Sequence, residues 1–227
     1  MNELARVIPK IFFLREAAPA VSEEFARLPI CHAYPKGNIL FYDGDPGAGI
    51  YIVVQGRVKI SLTHEEGREV VLAIMNDGGV FGLVAALDNG PHIGTAVTLT
   101  DCTIATIQRE RFIQFIAAHP PLQQSVDAEL ASLLRAAYRK VGEQALLPVK
   151  KRLLATLLEI AKTEGSTIED EVVFARPTQK ELAERIGTTR VVVARALKEL
   201  LEEEAALATD GRTFRLTIRA LVPHAEI

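Results

Sequence analysis

Residues 177–201 read Pro177-Thr-Gln-Lys-Glu-Leu-Ala-Glu-Arg-Ile-Gly-Thr-Thr-Arg-Val-Val-Val-Ala-Arg-Ala-Leu-Lys-Glu-Leu-Leu201. Two short amphipathic stretches meet at a glycine. Thr178 followed three residues later by Glu181 is a capping box, in which each side chain satisfies a backbone N–H of the other's residue. Leu182, Ala183 and Ile186 recur at helical spacing, and small Ala183 allows close approach of a second helix. Gly187 supplies the left-handed residue that ends the first helix. Thr189 then caps a second helix, whose inward face includes Val192, Val193, Ala196, Leu197 and Leu200. Its open face carries Arg190, Val191, Arg195 and Lys198. The pattern predicts a helix-turn-helix, whose second helix enters the major groove of B-DNA, where each base pair shows its own donor/acceptor pattern. Arg190 and Arg195 lie about 140° apart around that helix, so both reach DNA only by splaying toward base and phosphate.

Working outward, Ala206 to Ile218 reads as a β-hairpin. Asp210-Gly211 is a strong turn dipeptide, and Phe214, Leu216 and Ile218 alternate with Arg215 and Thr217. A helix-turn-helix followed by such a hairpin predicts a winged helix. Arg212 and Arg215 are candidate phosphate contacts, or simply solubilising residues.

The charge balance tests this reading. The formal net charge is -3, which at first argues against a DNA binder. Residues 148–227 hold 13 Lys+Arg and 13 Asp+Glu, so this part is neutral by sum. Glu202, Glu203 and Glu204 are placed beyond the second helix, whereas Arg190, Arg195 and Lys198 lie on it. Attraction to phosphate follows the local field rather than the sum. The balance predicts weak non-specific binding and reliance on a dimer.

Only Cys31 and Cys102 occur, far apart. They suit a reducing cytoplasm and are too few for an iron–sulfur cluster held by one chain, which takes about four ligands. With no apolar signal core and no run of about 18 apolar residues, a soluble cytoplasmic protein is expected, with no membrane partner.

Residues from about 30 to 108 form short apolar-alternating runs broken by glycine. They are His32–Tyr34, Asn38–Tyr42, Ile50–Val54, Arg57–Leu62, Glu69–Ile74, Thr95–Leu99 and Thr103–Ile107. Spacing near ten residues predicts an antiparallel sandwich or roll. Arg109–Ala118 reads as a short helix stopped at His119-Pro120-Pro121. A longer helix follows from Leu122 to about Leu147. Its Val126, Leu130, Leu133, Ala137, Val141 and Gln144 form a near-heptad seam whose natural partner is the same helix of a second subunit. Packing within one chain is the alternative. Pro148 starts a further helix, Val149 to Ala161.

This order resembles the CRP/FNR family of bacterial transcription regulators over essentially the whole chain. The residues that carry the resemblance are Pro35-Lys-Gly37, Asp43-Gly44-Asp45, Ile50-Tyr51, Gly56-Arg-Val58, Phe81-Gly82, Asn89-Gly90-Pro91 and Thr189-Arg190. The resemblance implies an α+β fold: an N-terminal antiparallel β-roll like a cyclic-nucleotide-binding domain (1–120), a dimerisation helix (121–147) and a C-terminal winged helix (148–227). It implies a homodimer on a palindromic site in double-stranded DNA, acting through RNA polymerase. Thr178, Gln179 and Thr189, at helix starts, are expected to clamp phosphate.

The departures from the family bear on mechanism. Cyclic-nucleotide-binding members open a cassette with Phe-Gly-Glu and follow its turn with arginine. The glutamate holds a ribose hydroxyl and the arginine neutralises the cyclic phosphate. Leu83 and His92 are read at those positions. Ala137-Tyr138 replaces the polar pair that reaches the base. Losing a partner to a charged group costs about 1.5–3 kcal/mol, so cyclic AMP is not expected as effector and no cofactor is assigned. Leu83, His92, Arg135 and Tyr138 mark the altered effector pocket. The family's carbon-monoxide sensor has a haem-ligating histidine where Val84 stands here. The alternative is therefore a haem- or metabolite-dependent sensor through His92, although a lone loop histidine is more commonly solvated. His64 is expected at the surface. In most relatives Ser/Thr-Arg-Glu opens the reading helix. Here Thr-Arg-Val is similar to the cyanobacterial global nitrogen regulator. Valine cannot accept a hydrogen bond, but its methyls can meet a thymine methyl. His32, His64 and His92 form no His-x-His pair and no nucleophile–base set stands out, so no enzyme activity is expected.

Overall fold

The computed structural model describes residues 3–64, 69–168, 171–202 and 207–217. They divide into two compact units, residues 1–137 and 138–227.

The first unit opens with α1 (Glu3–Val7), two 3₁₀ turns (Ile8–Lys10 and Phe12–Leu14) and α2 (Pro19–Phe25). The roll follows as β1 (Ile30–Tyr34), β2 (Ile39–Phe41), β3 (Gly49–Gln55), β4 (Val58–Thr63), β5 (Glu69–Met75), β6 (Val80–Phe81), α3 (Leu83–Asp88), β7 (Thr95–Thr98) and β8 (Cys102–Gln108). Two four-stranded antiparallel sheets result, β1-β8-β3-β6 and β2-β7-β4-β5. Each of the seven strand-like runs becomes one of these strands. The N-terminal layer does not announce itself in the hydrophobic pattern, yet it fills one side of the core. Leu4, Val7, Ile11, Phe13 and Phe25 bury against Ile50, Ile52, Ile107 and Phe112. Phe13 meets Phe25 edge-on at 5.5 Å, a favoured aromatic geometry.

Helix α4 (Arg109–Ala118) has the bounds its sequence predicts. Helix α5 (Pro120–Leu146) begins two residues earlier than expected. Proline lacks only an N–H that the first turn leaves unbonded anyway, so Pro120 and Pro121 start this helix rather than delay it. Leu122 and Val126 are buried with the roll and Leu130 packs against them. Further along, Leu133, Leu134, Tyr138, Val141 and Leu146 are exposed.

The second unit adds α6 (Val149–Glu164), β9 (Ser166–Ile168), β10 (Glu171–Ala175), α7 (Gln179–Ile186), α8 (Arg190–Glu202), β11 (Leu207–Thr209) and β12 (Thr213–Thr217). The expected hairpin is present as β11 and β12. Its expected outer ends, Ala206 and Ile218, lie outside the described residues, as do Glu203 and Glu204. The hairpin belongs to a larger sheet, β11-β12-β10-β9, because Val172 and Phe174 of β10 register against Leu216 and Phe214. Leu153, Leu157, Phe174, Leu182, Ile186, Val193, Leu197, Phe214 and Leu216 share one core. Among the described residues no helix is long and apolar enough to cross a membrane.

Candidate functional site

Helices α7 and α8 are the part of the second unit built for an outside partner. The capping box is formed: Thr178 Oγ1 accepts from Glu181 N at 3.1 Å and Glu181 Oε2 accepts from Thr178 N at 2.7 Å. Gly187 ends α7 in the left-handed region, φ 67°. Ala183 O accepts from both Gly187 N and Thr188 N. Two residues on, Thr189 starts α8. Its carbonyl accepts from Val193 N at 3.1 Å, while its hydroxyl stands 3.5 Å from Val192 N, a long cap contact.

Val193, Ala196, Leu197 and Leu200 are buried, which turns the opposite face of α8 outward. Arg190, Val191, Arg195 and Lys198 are all exposed, as are Thr178, Gln179 and Thr189. Val192, expected inward, is half-buried. Val191 is 79% exposed, an apolar side chain presented to solvent in the first helical turn. Lys198 differs from expectation: its ammonium lies 3.6 Å from Glu202. Glu202 is the last residue of α8 rather than a residue beyond it, so helical i,i+4 spacing brings the two together.

The wing is ordered by one carboxylate. Asp210 accepts from Arg212 N at 2.9 Å, Thr213 N at 2.7 Å and the Thr213 hydroxyl at 2.8 Å. Those donors, led by the Thr213 N–H, hold its pKa down at about 2. Arg176 joins this edge to the start of α7: its N–H donates to Arg212 O at 3.0 Å and its guanidinium sits 5.3 Å from the Phe214 ring centre.

In the roll, the residues expected to form one effector pocket have different surroundings. Leu83 is 5% exposed and buried with Ile50, Ala86 and Phe112. His92 is 3% exposed, not solvated as a loop histidine would be. Its ring lies parallel to Phe41 at 3.6 Å, with Tyr51 tilted at 5.9 Å. The backbone sets it there, Gly44 N donating to His92 O and His92 N to Asp45 O. Burial lowers the His92 pKa, against an opposing pull from Asp45. Nε2 is buried and has no hydrogen-bond partner among the described residues. Burial likewise raises the Tyr51 pKa. Arg135 is exposed on α5. Tyr138, in the second unit, is 69% exposed. His64 is exposed as expected. No cluster of three or more His, Cys, Asp or Glu able to hold a metal occurs among the described residues.

Sequence reasoning missed Arg152 of α6, which donates to Ile186 O at 3.1 Å. No local pattern marks a contact made 34 positions away. It missed Asp210 as an organiser for a different reason: in sequence the residue reads only as half of a turn dipeptide.

A roll, a long helix and a winged helix-turn-helix with an outward basic face define a DNA-binding transcription regulator. The model of the cyclic nucleotide-binding domain matches residues 31–119 and that of the Crp-like helix-turn-helix domain matches residues 151–221. The chain is 30% identical to the cAMP-activated global transcriptional regulator CRP of Escherichia coli, over 80% of this chain and 87% of that one. It is 29% identical to the CRP-like cAMP-activated global transcriptional regulator of Mycobacterium tuberculosis, over 82% of this chain and 86% of that one. The solved structure of the c-di-GMP responsive regulator CLP of Xanthomonas campestris matches with a TM-score of 0.76 at 26% identity, covering 88% of this chain and 99% of that one. The chain belongs to the CRP/FNR family of transcription regulators.

Proposed function

We propose that this regulator is a homodimer that reads a palindromic DNA site through α8 and is not controlled by cyclic AMP. Arg190 donates to guanine O6 and N7, Val191 meets a thymine methyl, and Arg195 supports base or phosphate contacts. Thr178, Gln179 and Thr189 hold phosphate, Lys198 joining them only by leaving Glu202. The observation that carries the reading is Val191 itself. An apolar residue 79% exposed beside Arg190 gains nothing from the fold, but it gains contact area against a thymine methyl. Its likeness to the Thr-Arg-Val of the cyanobacterial nitrogen regulator points the same way. A GTA-type half-site with its inverted copy is therefore preferred to GTGA. Selection from a randomised duplex library tests this: GTA-type half-sites are expected, and recovery of GTGA would refute it.

The exposed Leu133, Tyr138 and Val141 on α5 support pairing with a second copy through the predicted seam. Independence of cyclic AMP is supported by Leu83, an apolar side chain that cannot accept from a ribose hydroxyl and packs in the core instead. The Escherichia coli and Mycobacterium tuberculosis relatives are cAMP-activated, so the chemistry of the cassette, not ancestry, carries this part of the proposal. Domain bounds of 1–120, 121–147 and 148–227, action through RNA polymerase in the cytoplasm, and the lack of any enzyme activity complete the proposal.

A second reading, a haem- or metabolite-dependent sensor, is favoured by the unpartnered Nε2 of His92. A Soret band, or a small molecule retained in native mass spectrometry of the purified protein, would support it.

A further inference from the structure

The weakest point of a helix-turn-helix is its turn, and here that turn is gripped from outside the motif. The peptide unit joining Ile186 to Gly187 is held at both ends. Its N–H donates to Ala183 O within α7. Its carbonyl, one of those a helix C-terminus leaves unbonded, accepts from Arg152 Nη1 at 3.1 Å. Gly187 follows at φ 67°, and α8 begins three residues later. Glycine is the softest residue in that turn, so the plane that Arg152 holds is the one about which α8 would swing.

Two further facts separate Arg152 from a solubilising arginine. It is partly buried, and its Nε is buried with no partner among the described residues. Withdrawing a guanidinium N–H from water unpaired is unfavourable, so the fold holds the side chain here at a cost that a solvated arginine would not carry. It also puts a positive charge at the C-terminus of α7, where the helix dipole favours a cation.

We infer that Arg152 is a positioning residue for DNA reading: by fixing the Ile186–Gly187 peptide it sets the angle at which α8 meets the base edges. The inference rests on α8 being the reading helix. The lever is long enough to matter. Arg190 lies three residues beyond Gly187 and Arg195 five residues, about 8 Å, further along α8, so a swing of about 10° at Gly187 moves their backbones by about 1 Å and about 2 Å. That exceeds the tolerance of a hydrogen bond. Contacts to phosphate by flexible lysine and arginine side chains survive such a swing better than contacts to base edges. The residue therefore governs selectivity more than overall attraction.

The test compares Arg152→Met and Arg152→Lys with the parent, full-length, on the selected operator and on an unrelated duplex across a salt series. Arg152→Met is expected to bind the operator at least about tenfold more weakly, with non-specific affinity and salt slope unchanged. Faster amide exchange is expected at residues 187–192. Arg152→Lys, which keeps the charge but not the planar fork, is expected to fall between. An operator-to-non-specific ratio equal to the parent's would overturn the inference. So would a salt slope lowered by about one per subunit, which would make Arg152 a phosphate contact, or equal losses on both duplexes, which would make its role merely structural. Should Arg152→Met not fold, Arg152→Lys is read by the same ratio: threefold or more below the parent supports the inference, and the parent's ratio overturns it. A parent that prefers no duplex would instead overturn the reading of α8 itself.

Discussion

Substituting Val191→Glu should rewrite the DNA preference of this regulator while leaving its fold intact. Val191 is 79% exposed, so the core loses nothing. Exposed positions of this kind change stability by about 0.5 kcal/mol or less. A carboxylate in the first turn of α8 also faces the positive end of the helix, worth about 0.3–1 kcal/mol at low salt. On DNA the exchange is large. Glutamate accepts from the cytosine amino group, and one well-made base contact discriminates by about 1–3 kcal/mol. Two half-sites in a dimer double that, to about 2–6 kcal/mol, or roughly 30-fold to 10⁴-fold in relative affinity. Competition binding between GTA-type and GTGA palindromes, each with its inverted copy, measures the ratio directly. The parent is expected to favour the first and Val191→Glu the second, with melting temperatures matched. Equal preference in both proteins would refute the assignment of Val191 to the base edge, whatever the absolute affinities.

Three other outcomes are expected. Gly187→Ala places a β-carbon at φ 67° and should cost about 1–2 kcal/mol, seen as a lower denaturation midpoint of the second unit. Stability should fall as pH drops below about 6.5. Burial lowers the folded-state pKa of His92, so the neutral ring is favoured in the fold and its contribution is lost as pH falls from the unfolded value through the folded one. His92→Phe keeps the stack on Phe41 without the proton, and urea midpoints at pH 7.5 and 5.5 should differ less than in the parent. Val141→Glu places like charges face to face across the proposed subunit seam, and sedimentation should show monomer where the parent is dimer.

The sequence carries the parts of this molecule whose cause is local. Alternation marks seven strands of the roll, and misses only β6, whose two residues are too few to alternate. Thr178, Glu181 and Gly187 mark both ends of α7 because a capping box and a left-handed glycine are properties of a few consecutive residues. The parts that stayed hidden depend on distant partners. Helices α1 and α2 have five and seven residues, too few turns to show a period, and are held by packing on the roll rather than by propensity. Strands β9 and β10 have only three and five residues, and Val172 and Phe174 acquire meaning only when β12 lies beside them. His92 reads as a loop residue because nothing nearby in sequence announces the Phe41 ring 51 positions earlier. Arg152 reads as one of three consecutive cations, Lys150-Lys151-Arg152, and only the fold shows that its guanidinium reaches the Ile186 carbonyl. Lys198 lies on the helix face that its spacing indicates, while Glu202, expected beyond the helix, closes it and stands beside Lys198.

The most direct measurement is the affinity of Arg190→Ala for the best selected operator at physiological ionic strength, taken beside the parent's salt slope. Loss of two guanine contacts per dimer predicts binding weaker by roughly 30-fold to 10⁴-fold, with sequence preference relaxed at the guanine position of each half-site. Undiminished, equally selective binding by Arg190→Ala would contradict the placement of α8 in the groove.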